Sequence, residues 1–224
     1  MMVRLPDFSG AVFDLDGVLV DTARYHFLAW RRLAETLGFV FTEQDNERLK
    51  GVSRMRSLEI LLEVGGIALP QADKERLAAQ KNAWYVESLQ TLSEKDLLPG
   101  ALAYLRQCRA EGKKTALGSA SKNAPLILER LGIAGLFDAV IDGTRVSRAK
   151  PDPEVFSVAV QALGLSPAAC IVFEDALAGI EAAHAAGCRA VAVGTPDKLP
   201  GAEWYVRDLQ ALVQEPAATE GERA

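Results

Sequence analysis

Gly10-Ala11-Val12-Phe13-Asp14-Leu15-Asp16-Gly17-Val18-Leu19-Val20-Asp21-Thr22 is an apolar run that ends in acid. Side chains alternate across a strand, so Asp14 and Asp16 fall on one side and Leu15 on the other. Two carboxylates just past an apolar strand repel each other and cost desolvation unless a cation lies between them. Gly17 follows at once and permits a tight backbone turn. The segment reads in two ways: a cation-holding acidic site beside a nucleophilic carboxylate, or a solvated turn made of ordinary turn residues.

Working outward, Ala23 to Leu37 has Phe27, Trp30, Leu33, Ala34 and Leu37 at near-helical spacing. Gly38 can close that helix. Helical pattern continues from Thr42 to Leu92, broken at Gly51, Gly65-Gly66 and Pro70, with Ser53–Val64 and Asp73–Leu92 the clearest pieces. No strand pattern intervenes between residues 22 and 97. After Leu98-Pro99-Gly100 the rhythm changes. Helices over Ala101–Ala110, Ala124–Leu131, Pro153–Leu163 and Ala176–Ala186 alternate with strands over Lys114–Gly118, Ala139–Ile141, Cys170–Phe173 and Ala190–Val193. Such alternation predicts βαβ units, a parallel sheet and right-handed crossovers. The first strand joins that sheet, since a continuous apolar run suits burial on both faces. The expected fold class is α/β: a Rossmann-like parallel-sheet core over residues 1–20 and 98–224, with an all-helical insert, 21–97, acting as a cap. The tail from Glu215 is expected to fray.

The 224 residues are 49% hydrophobic, enough for a sizeable core, and carry a formal charge of −5. No Lys/Arg run provides a nucleic-acid footprint. No apolar stretch approaches the roughly 20 residues needed to cross a bilayer. Met1 to Gly10 lacks the apolar segment of a secretion signal. Cys108, Cys170 and Cys188 are odd in number and lack metal-ligand spacing, so they read as free buried thiols. The expectation is a cytoplasmic protein, monomeric, with no nucleic-acid or membrane partner.

Ligands of open parallel sheets sit beyond the carboxyl ends of the strands. Ser119-Ala120-Ser121-Lys122-Asn123 follows the second core strand and opens a helix, which suits anion binding; helix capping by Ser121 or Asn123 is the alternative. Lys150 stands before Pro151, extended, and offers a point charge to phosphate or clustered carboxylates. Glu174 and Asp175 follow the fourth strand, where compensation of a helix dipole is the other reading. Capping explains each piece alone. It does not explain why all of them fall at one rim.

With these residues in order, the chain resembles the haloacid dehalogenase-like phosphotransferases: Asp14-x-Asp16-Gly-Val-x-x-Asp-Thr, Ser119, Lys150-Pro and Glu174-Asp175 match that family's four signatures along nearly the whole chain. The resemblance implies that Asp14 attacks phosphorus to form an aspartyl-phosphate and that Asp16 is general acid/base. Ser119 and Lys150 would hold the phosphoryl oxygens. Mg²⁺ would be held by the Asp14 carboxylate, the Asp16 backbone carbonyl, Glu174 and Asp175, since hard oxygen ligands favour that ion.

These signatures leave the acceptor open, and the insert must choose it. Lys50-Gly51-Val52-Ser53-Arg54 is a basic, glycine-hinged turn opening a helix, and Arg54 there could grip a second phosphate. That turn, Asp21-Thr22-Ala-x-Tyr-His26 with Trp30, and Gly118 to Asn123 are similar to the family's hexose-phosphate mutases. The resemblance implies that Arg54, Ser121 and Asn123 bind the non-transferring phosphate, with Lys122 nearby. His26 and Lys81 would link cap position to the Asp16 proton. Trp30, Gly51, Val52 and Ser57 would line the sugar site, and Thr22, Lys50, Ser53 and Ala120 complete the substrate contacts. The expected activity is interconversion of β-D-glucose 1-phosphate and glucose 6-phosphate through β-glucose 1,6-bisphosphate. The runner-up is a sugar-phosphate phosphatase of the same family. A catalytically silent sugar-phosphate binder is the third possibility, opposed by the intact Asp14/Asp16 pair.

Overall fold

The computed structural model describes residues 3–49 and 52–214. Lys50, Gly51 and the tail from Glu215 lie outside them. Strand β1 (Gly10–Phe13) is followed by four helices, α1 (Ala23–Thr36), α2 (Glu43–Glu47), α3 (Arg54–Gly65) and α4 (Gln71–Ser88). Then come α5 (Ala101–Ala110), β2 (Lys114–Gly118), α6 (Ala124–Arg130), β3 (Ala139–Ile141) and α7 (Glu154–Leu163). β4 (Cys170–Glu174), α8 (Leu177–Ala185), β5 (Arg189–Val193) and β6 (Trp204–Val206) complete the order. The strands form one sheet, β3-β2-β1-β4-β5-β6, parallel throughout.

Period-two alternation decides which side chain serves which layer. Ala11, Phe13, Leu117, Ile171 and Phe173 pack with α5 and α6 on one face of the sheet. Val12, Ala116, Cys170, Val172 and Ala190 pack with α7 and α8 on the other. Because β1 and β4 are buried along their whole length, they read as unbroken apolar runs. Phe13 stacks on Phe173 with ring centroids 4.7 Å apart, fixing the two central strands whose ends carry the acids. All three cysteines are free and buried.

The helical insert has its own apolar cluster: Trp30, Leu33 and Ala34 of α1, Leu58, Leu61 and Leu62 of α3, Leu77 and Ala78 of α4. It joins the sheet through two connections that touch each other. Val20 bridges Leu97, and the Leu98 amide donates to the Leu19 carbonyl at 2.9 Å. The second connection is braced by the chain's far end, where the Gln210 amide donates to the Pro99 carbonyl. Gly100 has φ +80°, and a Cβ there would fall 2.0 Å from the Gln210 nitrogen, so only glycine lets the connection lie so close.

Three local expectations are corrected. Strand β6 was not anticipated: it is a three-residue edge strand, too short for a periodic signal. The helix expected over Asp73–Leu92 begins earlier, behind Pro70, and stops at Ser88. The Ser88 hydroxyl donates to the Tyr85 carbonyl at 2.6 Å, competing with the helix ladder, and a 3₁₀ turn, Leu89–Thr91, follows. Asn123 occupies the first boundary position of α6 but makes no side-chain cap, against the capping alternative raised above.

Candidate active site

The rim at the C-terminal ends of β1, β2 and β4 is built by strands that stop within one residue of their functional side chains. β1 ends at Phe13, and the Asp14 amide still donates to the Phe173 carbonyl at 3.0 Å, so the nucleophile candidate is anchored to the neighbouring strand. Asp14 is buried, as are Ser119 and Glu174. Lys150 reaches between two of the acids: its Nζ lies 2.5 Å from Asp14 Oδ1 and 2.6 Å from Glu174 Oε1. Burial alone would lower the lysine's pKa. The charges and hydrogen bonds of Asp14 and Glu174 override it, and Lys150 is held above its ordinary value.

The loop carrying Lys150 is itself fixed. Glu154, at the start of α7, accepts from the amides of Ser147 (3.0 Å) and Arg148 (2.7 Å) and from the Ser147 hydroxyl. The Lys150–Pro151 peptide is cis. Sequence reading passed over Glu154, since an acid in a helix's first turn is ordinary.

The second acid of the opening motif sits apart from the lysine. Asp16 follows Leu15, which is fully buried, and the turn back is closed by the Gly17 amide donating to the Val20 carbonyl at 2.8 Å. Gly17 has φ +77°, and a Cβ there would meet Asp175 Oδ2 at 1.9 Å. Gly179 plays the same part for the other acid: its missing Cβ makes room for Glu174 Oε1. An isolated glycine inside a helical pattern was the readable sign of that close approach. The Thr22 hydroxyl donates to Asp16 Oδ1 instead of capping α1. Desolvation raises Asp16 to about 7; the Thr22 bond opposes it, and Asp14 and Asp21 add to it. Asp175 is raised to about 8 by burial and then by Glu174, Asp14 and Asp16.

Among the described residues, no three acidic, histidine or cysteine side chains stand arranged as a closed metal cage. The chemistry of the donors nevertheless fits a hard divalent cation. Asp14, Asp16, Glu174 and Asp175 are all oxygen donors, Lys150 pairs with two of them, Asp14 and Glu174, and burial, with neighbouring carboxylates adding to it, raises Asp16 and Asp175.

Beyond β2, the Ser119 amide donates to the Ile141 carbonyl at 2.9 Å and its Oγ accepts from the Ser121 amide at 3.1 Å. The Ser119 hydroxyl proton is left to donate elsewhere. The Ser121 hydroxyl accepts from the Asn123 amide at 3.3 Å, and Asn123 Nδ2 donates to Asn82 Oδ1 of α4 at 3.0 Å. Ala120 and Lys122 are exposed at the same turn. From the insert, Lys81 Nζ lies 2.8 Å from His26 Nδ1 and above the rings of Trp30 and Tyr85. His26 in turn stacks on Tyr85. Arg54 is half-buried at the start of α3, close enough to depress both Lys81 and His26.

Other expected insert residues fall differently. Ser53 caps α3, accepting from the Arg56 amide at 3.3 Å. Trp30 and Ser57 are buried, Trp30 in the insert's apolar cluster, while Val52 is exposed. Lys50 and Gly51 lie outside the described residues. Tyr85, Asn82 and Asp142 were not singled out from sequence. Tyr85 is fully buried and brings its ring against both His26 and Lys81. Asp142 accepts from the amide and hydroxyl of Thr144, shaping the turn after β3.

A family model for haloacid dehalogenase-like hydrolases matches residues 8–187. β-Phosphoglucomutase of Bacillus subtilis (strain 168) is 45% identical over 206 residues, 91% of this chain and 91% of the relative. The phosphorylated carbohydrates phosphatase of Thermotoga maritima is 35% identical over 181 residues, 79% of this chain and 80% of the relative. The crystal structure of β-phosphoglucomutase from Clostridium difficile superposes with a TM-score of 0.87 at 39% identity, covering 92% of this chain and 93% of that one.

Proposed function

Because the chain belongs to the haloacid dehalogenase-like hydrolase family, we infer from its likeness to two β-phosphoglucomutases that it is one itself. It interconverts β-D-glucose 1-phosphate and glucose 6-phosphate through β-glucose 1,6-bisphosphate. The observation that carries this reading is the extent of the likeness: 91% of the chain aligns with the B. subtilis enzyme, so the match includes most of the helical insert and not the shared core alone. Likeness to the T. maritima phosphatase is weaker and shorter.

In this reading residues 21–97 act as a cap over a core of 1–20 and 98–224. Asp14 is the nucleophile. Its anchored main chain and its ion pair with Lys150 hold the carboxylate in one orientation. Lys150 and the free proton of Ser119 would neutralise the oxygens of the transferring phosphoryl group, the largest single source of stabilisation in such transfers. Asp16 moves the proton of the sugar hydroxyl. A carboxyl raised toward neutral pH suits that task, because it can both take and return a proton there. Thr22 holds the Asp16 carboxylate in place.

Family phosphotransferases of this kind generally depend on Mg²⁺, and Asp14, the Asp16 carbonyl, Glu174 and Asp175 are the residues that would hold it. The ion would supply charge neutralisation at the phosphoryl oxygens. Arg54, Ser121, Lys122 and Asn123 form the second phosphate site in this reading. A bisphosphate must turn around and bind with either end at Asp14, so a mutase needs that second site. Substrates are hexose phosphates. In this reading the enzyme is a cytoplasmic monomer; no described helix is long and apolar enough to cross a membrane.

The test is a product assay with β-glucose 1-phosphate, Mg²⁺ and catalytic β-glucose 1,6-bisphosphate. Glucose 6-phosphate is the expected product; free phosphate as the main product rejects the mutase reading in favour of the phosphatase.

A further inference from the structure

Two helices begin at residues well suited to cap them, and neither does. The Thr22 hydroxyl turns away from α1 to Asp16, and Asn123 turns away from α6 to Asn82, 41 residues earlier in the chain. By contrast, Thr42 and Ser53 cap their helices in the ordinary way. Asn and Thr are strong capping residues, and leaving the cap unused destabilises the helix start. A side chain that gives up that bond for a distant partner is being held where the partner needs it.

Asn82 is the residue after Lys81 on α4, about 100° further round the helix axis. Lys81 therefore points inward at His26, Trp30 and Tyr85, while Asn82 faces the loop that follows β2. Both asparagines are half-buried. A primary amide is two-sided: its nitrogen donates two hydrogen bonds and its oxygen only accepts. If Asn123 were free to flip, a phosphate would have to select the nitrogen-facing orientation on binding, because the amide oxygen repels an anion. The bond from Asn123 Nδ2 to Asn82 Oδ1 uses one N–H and couples the two amides: with Asn82 presenting its oxygen, Asn123 presents its nitrogen. The second N–H of Asn123 then has a set direction.

We propose that Asn82 is a positioning residue for the second phosphate site: it locks the Asn123 amide with its nitrogen as donor, and so makes the cap part of the anion cradle. The proposal rests on the reading of Asn123 as a ligand of the non-transferring phosphate. It deepens that reading by making the affinity for the bisphosphate depend on a cap residue that touches no substrate. Ser121 steadies the same turn from the core side by accepting the Asn123 amide.

The experiment is a double-mutant cycle read as activation of the mutase by β-glucose 1,6-bisphosphate at saturating β-glucose 1-phosphate. Asn82→Ala should raise the KM for bisphosphate about fivefold, the size of one net hydrogen bond, with kcat at saturation changed less than twofold. Asn123→Ala should raise it at least as much. Asn82→Ala added to Asn123→Ala should then do nothing further, because the residue it positions is gone. An unchanged KM in Asn82→Ala overturns the proposal, and so do additive effects, which would mean that Asn82 acts independently. A silent Asn123→Ala, or a wild-type enzyme that the bisphosphate does not activate, overturns it at its premise and points to the second phosphate site or the mutase reading as the error. Thermal melts accompany each variant, and Asn82→Ser replaces Asn82→Ala in the cycle if the latter loses its transition.

Discussion

Lys150 in the core and Lys81 in the helical insert are both buried lysines near the same site, and their pKa values move in opposite directions. Lys150 sits between Asp14 and Glu174 and is held above its ordinary value. Lys81 faces the imidazole of His26 and the rings of Trp30 and Tyr85, with Asp16 acting only at longer range. Burial, and then Arg54, push it down to about 7. His26 is pushed below its ordinary value by burial, then by Lys81 and Arg54, so it is neutral and its Nδ1 can accept from the ammonium. The core thus fixes its cation with anions of its own. The insert gathers Lys81, Arg54 and His26 with no carboxylate hydrogen-bonded among the described partners of Lys81, an arrangement that an anionic substrate would complete.

Removing Lys150 should break that comparison most visibly. Lys150→Met leaves Asp14 and Glu174 buried without their cation, so a loss of about 3–5 kcal/mol in urea unfolding is expected, with phosphoryl transfer reduced by orders of magnitude. A variant as stable as wild type would show that the core charges are not compensated as the distances indicate. A smaller effect is expected at Gly179→Ala. The new Cβ would fall 1.9 Å from Glu174 Oε1, and displacing that carboxylate should cost about 1–3 kcal/mol and weaken Mg²⁺ activation. Unaltered Mg²⁺ dependence would separate Glu174 from the metal.

The smallest effect, and the sharpest contrast, belongs to Lys81→Met. Lysine's ordinary value is 10.5 and the folded value about 7, so between these limits the unfolded chain binds more protons than the folded one. Stability should therefore rise as pH increases from about 7 toward 10.5, and the penalty is complete below 7. Lys81→Met removes that penalty. At pH 7 it should raise stability by about 1 kcal/mol and flatten the alkaline rise, while slowing the mutase. Equal pH slopes in wild type and variant would mean that Lys81 keeps its charge in the fold.

Much of the core was legible before any coordinates. Asp14, Asp16, Lys150 and the Glu174-Asp175 pair stand within a residue or two of strand ends that apolar runs mark clearly, and strand ends are where a parallel sheet opens to ligand. Strand β6 was not legible because three residues of an edge strand, partly exposed, carry no period. In the insert, periodicity located the helices but not their inner faces. Trp30 and Ser57 look alike in sequence whether they face a sugar or a hydrophobic cluster; the fold buries both.

Sequence by itself determined the order of elements up to β5, the acidic rim and the family, because each depends on local pattern and on motifs that keep their spacing along the chain. Tertiary structure alone decided which charges meet. The pairing of Lys150 with Asp14 spans 136 residues, that of Lys81 with His26 spans 55 and that of Asn123 with Asn82 spans 41. No local rule fixes such separations: the first is set within the sheet domain, the second within the helical insert and the third where the insert meets the core. Burial weakens both lysines' hold on a proton, and only the anions around Lys150 reverse it.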